Sequence, residues 1–575
     1  MLTLAAFTTI SGLLGFVGGQ SGGPGFRNGN PVSAKLTQID NMDPFGLTAL
    51  LDGLGFPAAY LGKWPVEYPP ELVAADPSYD PAVRNPINGN NAAVNGSFRV
   101  VGNTGIPTAH ATPFANDLII FLIRPNLQLN AGFDTHLQRY GAPQNYTQVG
   151  DSALTSTIYN MTDNTFEPFY IKEMAFCGAN TLLPDGRAII AGGNWGTDSS
   201  PSSSQPNTAV NCAANQGGGF SDPHQNNPTY QVYYPGNNTL SPALALTILL
   251  ESWPVNTYPF AVVLPTGSTL VIAGAQIQAL FLNYDEAVED EEVGEFPELP
   301  YPVTYPAYGS YVLLPLQGPD YKAEILIAGG SSDYCANAKS LASKKSILFD
   351  ASAQANHTLI EEEITYARVM PDLVILPDGR LFLSNGAGVG IAGGTGPNYA
   401  AADQGVTIAE IYDPSKPLGG RWTPVADSQI WRMYHSISFI TKNAEVFISG
   451  SETTGEFRAQ LWTPDYLQNG KPRPSISGAP SIVGYGQAFS FQYSNVSTLD
   501  RVVFQRSTHG NHMDQRQVVL DCTFSTRQAD CTSPPNANIA PPGIYYLFAL
   551  YDGVPGVAEY VSVGTTEPSP SMVAG

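Results

Sequence analysis

The stretch "WRMYHS", residues 431–436, sets a phenol beside an imidazole, Tyr434 followed by His435. Both side chains can donate to a metal, although two packed aromatics is the plainer use of such a pair. Neighbours on a regular strand point to opposite faces, so both rings can reach one ion only if the backbone bends between them. Three other segments hold Tyr, His or Cys in unusual company: "AFCGAN" with Cys177, "NTYPFAVVLPTG" with Tyr258, and "STHGNHMDQR" with His509 and His512. The chain has 7 histidines and 5 cysteines, with no Cys-x-x-Cys and no H-E-x-x-H, which argues against a zinc site. No G-x-S-x-G occurs and no glycine-rich loop joins a strand to a helix, so hydrolase and nucleotide chemistry lack support.

The cysteines are Cys177, Cys212, Cys335, Cys522 and Cys531. In an oxidising compartment four would pair and one would be left. Cys522 and Cys531 are close enough to staple a hairpin. Cys212 with Cys335 is the default second pair, although sequence does not fix connectivity. Cys177 is then the odd one, either a small buried hydrophobe or a group with a task.

The elements that would position these residues are short strands. Hydrophobic residues make up 43% of the 575, charged residues only 13%, and there are 57 Gly and 48 Pro. Turn dipeptides recur between Val, Ile, Leu and Phe runs, as in an all-β protein. "LPDGRAIIAGG" at Leu183 returns as "LPTGSTLVIAG" at Leu264, "LPLQGPDYKAEILIAGG" at Leu314 and "LPDGRLFLSNG" at Leu376. A looser copy starts at Ile440, and "TPFANDLIIFL" from Thr112 reads as an earlier one. Each is strand, turn, strand ending in small residues, which suits a kelch-like β-propeller with long loops. From residue 471 a new set of alternating strands begins, of the length of an immunoglobulin-like β-sandwich.

The expected organisation is a signal peptide over 1–19 and an extension over 20–97 that partly joins the propeller. The propeller follows over 98–470, a sandwich over 471–565 and a disordered tail over 566–575. The acidic run "DEAVEDEEVGEFPELP" (285–300) reads as a solvated loop. A net charge of −23 argues against nucleic acid, and no segment after the leader is apolar enough to span a membrane. Sequons at Asn95, Asn145, Asn160, Asn237, Asn356 and Asn495 fit a secreted glycoprotein. The expected state is a monomer.

From "VGNTGIPTAHATPF" (residue 101) to "AEYVSVG" (residue 564) the chain resembles the glyoxal oxidases, fungal copper radical oxidases related to galactose oxidase. "FCGANTLLPDGRAIIAGG" is similar to the block whose cysteine forms a thioether with a tyrosine. Tyr258 in "TYPFAVVLPTG" stands where that tyrosine would be. "RMYHS" corresponds to an axial tyrosine and an equatorial histidine. "STHGNHMDQR" corresponds to the second histidine block, with His509 five residues before Asp-Gln-Arg and His512 as its rival. The four motifs occur in the family's order.

The resemblance implies a seven-bladed propeller backed by a sandwich that contributes one His ligand. It implies one copper ion held by Tyr258, Tyr434, His435 and His509, and a Tyr258–Cys177 thioether radical cofactor. Two phenols and two imidazoles suit tetragonal Cu(II). Copper exchanges one electron readily while alcohol or aldehyde oxidation removes two, so a Tyr258 radical would supply the second. Tyr434 would act as the base. Substrate would be a small aldehyde, as its hydrate, or an alcohol or sugar; O2 would become hydrogen peroxide, available to partner peroxidases. A kelch propeller that binds cell-wall carbohydrate without catalysis is the competing reading. The chain departs from the family at Thr257, where relatives carry a tryptophan. None of Trp64, Trp195, Trp253, Trp422, Trp431 and Trp462 is assignable from sequence as the ring that shields the radical. His110 in "PTAHATPF" reads as a core or channel residue.

Overall fold

A computed structural model describes residues 96–103, 110–113, 118–122, 156–168, 178–184, 187–192, 229–234, 239–240, 244–252, 258–283, 288–292, 296–333, 336–352, 357–392, 401–451, 456, 458–507 and 515–564. Nearly all of its regular secondary structure is strand; the α-helix among these residues is the single short turn Thr247–Glu251. Cys177, Cys212, Cys335, His509, His512, the leader and the tail lie outside the described residues.

Six antiparallel meander sheets follow one another, opening at His110–Pro113, Gly178–Leu182, Phe260–Val263, Gly309–Leu313, Asp372–Ile375 and Ser436–Ile440. These are the propeller's blades among the described residues, each with its first strand innermost. The sixth sheet is completed by Ser97–Asn103, which pairs antiparallel with Arg458–Thr463 and so joins the start of the ring to its end. The Leu-Pro repeats are the tight turns between first and second strands. In the fifth blade Leu376 N–H donates to the Arg380 carbonyl at 2.8 Å, and Gly379 takes φ +92°, a region that suits glycine.

Four of the inner strands are buried along their whole length. Phe260–Val263, Gly309–Leu313, Asp372–Ile375 and Ser436–Ile440 show no exposed position, as strands covered on both faces require. The acidic run is not simply a solvated loop: Val288–Glu292 forms the outer strand of the third blade, with Leu282 opposite Glu289. An edge strand rich in carboxylates discourages pairing with a second chain.

The sandwich packs a sheet containing Arg501–Arg506, Arg516–Val519, Gly543–Tyr551 and Glu559–Val563 against one containing Ala488–Ser494, Asp521–Ser525 and Gln528–Thr532. Cys522 faces Cys531 across the second sheet, and the two form the disulfide expected from their spacing. The first sheet also takes a strand from the propeller: Leu316–Gln317, in a fourth-blade loop, pairs in parallel with Val518 and Val519. Phe504 belongs to a core shared with the third and fourth blades, and its neighbour Val503 to one shared with the fifth and sixth.

Glutamines on that sheet meet the propeller's strand ends. Gln515 Nε2 donates to the Leu373 carbonyl at 2.6 Å, and its Oε1 accepts from Ile375 N–H at 3.0 Å. Gln505 donates to the Ile375 carbonyl at 2.5 Å and Gln517 to that of Leu376 at 2.9 Å. Arg516 reaches the Val263 carbonyl at 2.7 Å, and Ser507 Oγ the Ile440 carbonyl at 2.5 Å. Side chains thus close the backbone hydrogen bonds of strands that stop at the seam.

Candidate metal centre

The opposite ends of the same inner strands carry the chemistry. Tyr258 lies two residues before Phe260–Val263, and His435 immediately before Ser436–Ile440. Both adopt left-handed backbone, φ +56° and +62°. Such a conformation costs a non-glycine residue about 1–2 kcal/mol and marks positions worth functional scrutiny. Met370, before the fifth blade's inner strand, does the same at φ +58°.

At residues 433–436 the left-handed His435 closes a tight turn, with Ser436 N–H donating to the Met433 carbonyl at 3.1 Å. The backbone bends where two ligands to one ion would need it to bend. The rings of Tyr434 and His435 then lie on one side, centroids 3.7 Å apart and 26° from parallel. The turn is bolted in place from behind. Fully buried Arg432 donates to the carbonyls of Gly450 and Arg458 and to Gln460 Oε1. Met433 N–H donates to Ser451 Oγ at 3.1 Å. A Cβ at Gly405 would lie 2.5 Å from the Trp431 indole, so that glycine makes room for the head of the motif.

Tyr258 meets this pair from three blades away. Its phenol oxygen lies 3.2 Å from the Tyr434 phenol oxygen and 3.2 Å from His435 Nε2. The three side chains are 0%, 3% and 1% exposed, which removes competing water from the donors. Two phenol oxygens and an imidazole nitrogen at such mutual distances are spaced as neighbouring donors around one small ion with bonds of about 2.0–2.2 Å. No group of three His, Cys, Asp or Glu converges among the described residues, so the donor set rests on the phenols. The structure therefore brings together Tyr258, Tyr434 and His435. The other two expected members, Cys177 and His509, fall outside the described residues. Their described neighbours are in place: Gly178 opens the second blade's inner strand, which packs against Phe260–Val263, and Ser507 and Gln515 flank the His509 segment at the seam.

Sequence reasoning missed two residues. Tyr308 stacks on Tyr258 with centroids 5.9 Å apart and 26° between planes. Tyr305 lies 5.5 Å from Tyr258 and 6.5 Å from Tyr434. The signal was present, because "TYPAYG" (304–309) repeats the Tyr-Pro pair of "TYPF" just before another inner strand. Of the described tryptophans, Trp422 packs with Tyr412 and Trp462 with Phe382, whereas Trp431 belongs to the apolar cluster that holds Tyr308 and Tyr434.

Asp372, at the head of the fifth inner strand, is fully buried. Burial pushes its carboxyl well above the ordinary range, against hydrogen bonds from Asn385 and Ser436. Its Oδ1 has no hydrogen-bond partner among the described residues.

Two family models match the chain: the glyoxal oxidase N-terminus over residues 224–466, and the galactose oxidase-like early set domain over 473–563. The chain belongs to the glyoxal oxidase family of copper radical oxidases. An aldehyde oxidase of Vitis pseudoreticulata is 26% identical over 526 residues, covering 81% of this chain and 96% of its own. A WSC domain-containing protein of Arthroderma benhamiae is 31% identical over 347 residues, 56% of this chain; the alignment spans 35% of that longer relative. The fold is also that of a fungal alcohol oxidase solved in complex with copper. There the TM-score is 0.54 at 15% identity, over 82% of this chain and 100% of the other.

Proposed function

We propose that the protein is a secreted copper radical oxidase that oxidises small aldehydes, as their hydrates, to carboxylic acids and reduces O2 to hydrogen peroxide. The observation that carries this reading is the convergence of the Tyr258, Tyr434 and His435 donor atoms within 3.2 Å in a buried site. Tyr258, Tyr434, His435 and His509 would hold the copper, which when bound supplies a Lewis acid and a one-electron centre. A geminal diol offers the same O–H and C–H pair as a primary alcohol, so aldehydes and alcohols are competing substrates for one arrangement.

The chain's own groups divide the work. Tyr434 takes the substrate hydroxyl proton at its phenol oxygen, from a position held by the Arg432-bolted turn. Tyr258, which would be joined to Cys177 through sulfur, would stand beside the substrate carbon as the acceptor of its hydrogen. Tyr308 covers the Tyr258 ring and keeps water from it. Peroxide released from a monomer would be available to peroxidases outside the cell.

The test is a peptide map of the copper- and oxygen-treated protein under reducing conditions. The reading expects the Cys177 and Tyr258 peptides to travel together, lighter by a pair of hydrogens and resistant to reductant. Separate peptides after that treatment would overturn the radical cofactor and favour a propeller without catalysis.

A further inference from the structure

The fifth and sixth blades hold the chain that enters their inner strands by the same device. Arg368 and Arg432 each stand four positions before the first residue of such a strand, Asp372 and Ser436. Both are fully buried. Arg368 Nη1 donates at 3.1 Å to the carbonyl of Asn385, next to the second strand Leu381–Ser384. Arg432 Nη1 donates at 3.0 Å to that of Gly450, the last residue of the second strand Val446–Gly450. The Nη2 atoms reach the first carbonyl of each third strand, Ile408 at 3.0 Å and Arg458 at 2.8 Å. Each guanidinium then meets the side chain two positions further on, and here the blades differ. In the fifth it is Glu410 Oε1 at 2.8 Å; in the sixth it is Gln460 Oε1 at 3.2 Å.

The difference follows from what the incoming chain presents. Thr365 and Tyr366 donate their N–H groups to the two Glu410 oxygens, at 2.7 and 3.2 Å. Those donors and the guanidinium suit a carboxylate, which only accepts. The corresponding stretch of the sixth blade offers a carbonyl instead, and Ser428 accepts from Gln460 Nε2 at 3.0 Å. An amide, with one oxygen to accept and one nitrogen to donate, satisfies Arg432 and Ser428 together. Gln460 thus ties both ends of the segment that runs into Met433, Tyr434 and His435. In the fifth blade the matching clamp leads to Met370 and Pro371, which carry neither phenol nor imidazole.

We infer that Gln460 is a positioning residue of the metal centre, fixing through Arg432 and Ser428 the turn from which Tyr434 and His435 present their donor atoms. The inference rests on the oxidase reading above for the identity of the metal. It goes beyond that reading by giving a task to a residue outside the donor set.

The test compares three variants of the metal-free full chain with the parent. Gln460→Glu sets a carboxylate against the Ser428 carbonyl. Gln460→Met keeps the length of the side chain and removes both hydrogen bonds without adding charge. Glu410→Gln takes one acceptor from the matching clamp of the fifth blade. Cu(II) affinity is measured by competition with a chelator, and amide hydrogen exchange by mass spectrometry. Both Gln460 variants are expected to bind Cu(II) about 10–100-fold more weakly and to exchange faster over residues 428–436. Glu410→Gln is expected to exchange faster over residues 364–370 and to keep the copper affinity within about twofold. Unchanged copper affinity in either Gln460 variant overturns the inference. So does an equal loss in Glu410→Gln, which would trace the effect to stability alone. A parent that binds no Cu(II), with faster exchange over residues 428–436 in Gln460→Met, refutes the oxidase reading and leaves the clamp standing. Unchanged exchange there refutes the clamp whether or not copper binds.

Discussion

The two ends of the propeller's inner strands are built on opposite principles. At one end Tyr258, Met370 and His435 sit in left-handed backbone, and Asp372 is buried with an oxygen that has no hydrogen-bond partner among the described residues. At the other, Gln505, Gln515 and Gln517 complete the hydrogen bonds of the strand that Asp372 begins. One end holds strain of about 1–2 kcal/mol per left-handed residue; the other gains about 1 kcal/mol per buried hydrogen bond. The difference teaches that the sandwich offsets, through the same strands, part of what the site costs. Asp372 and Leu376 are four positions apart, so the rigid anchor and the strained site share one short lever.

Substitutions at the two ends should therefore separate activity from stability. The largest effect is expected for Tyr434→Phe, which removes the proton acceptor. Substrate oxidation should fall by about 10²–10⁴-fold, while the thermal midpoint of the metal-free protein stays nearly unchanged. A large loss of stability in that variant would show that the site end supports the fold and would break the comparison.

At the seam, Gln515→Leu leaves the Leu373 carbonyl and Ile375 N–H without their partner. The expected cost is about 2–4 kcal/mol in urea unfolding, large against a typical total of about 5–15 kcal/mol. A neutral outcome would mean the seam is not what compensates the site.

The smallest effect sharpens the account of Asp372. Burial raises its folded carboxyl above the unfolded value, so the native state disfavours its charge. Its penalty is absent below the unfolded range and grows as pH rises above about 3.9. Asp372→Asn should unfold like the parent near pH 4 and be more stable by about 1 kcal/mol near pH 7. A stability gap that narrows with rising pH would contradict the assignment.

Much of this was legible in the sequence because it depends on local chemistry. The Leu-Pro turns and alternating strands follow from backbone preference and burial. The Cys522–Cys531 staple follows from a nine-residue separation that a hairpin can close. A bend at Tyr434–His435 was the condition for both rings to reach one ion, and His435 at φ +62° provides it. For Tyr305 and Tyr308 the sequence held only the hint of a second Tyr-Pro pair, because their approach to Tyr258 is set by how the third and fourth blades pack, which spacing along the chain does not encode. The outer strand Val288–Glu292 was missed because an edge strand needs no apolar face and so lacks the usual alternation. The seam glutamines carry no motif at all; their meaning comes only from carbonyls supplied by residues about 130–142 positions earlier.

The closure of the ring sets the order in which the protein can become itself. Ser97–Asn103 has its partner in Arg458–Thr463, and Arg99 also donates to Thr463 across 364 positions of sequence. During synthesis that first strand must therefore wait, with its hydrogen-bonding edge open, until almost all of the propeller has been made. At about 5–20 residues per second the wait lasts on the order of tens of seconds. An exposed strand edge held open that long is a natural client for chaperones, and contacts so distant in sequence make for slow folding. The acidic outer strand of the third blade carries its own charge protection; the first strand, SFRVVGN, has little, and must be shielded by its surroundings until the ring shuts.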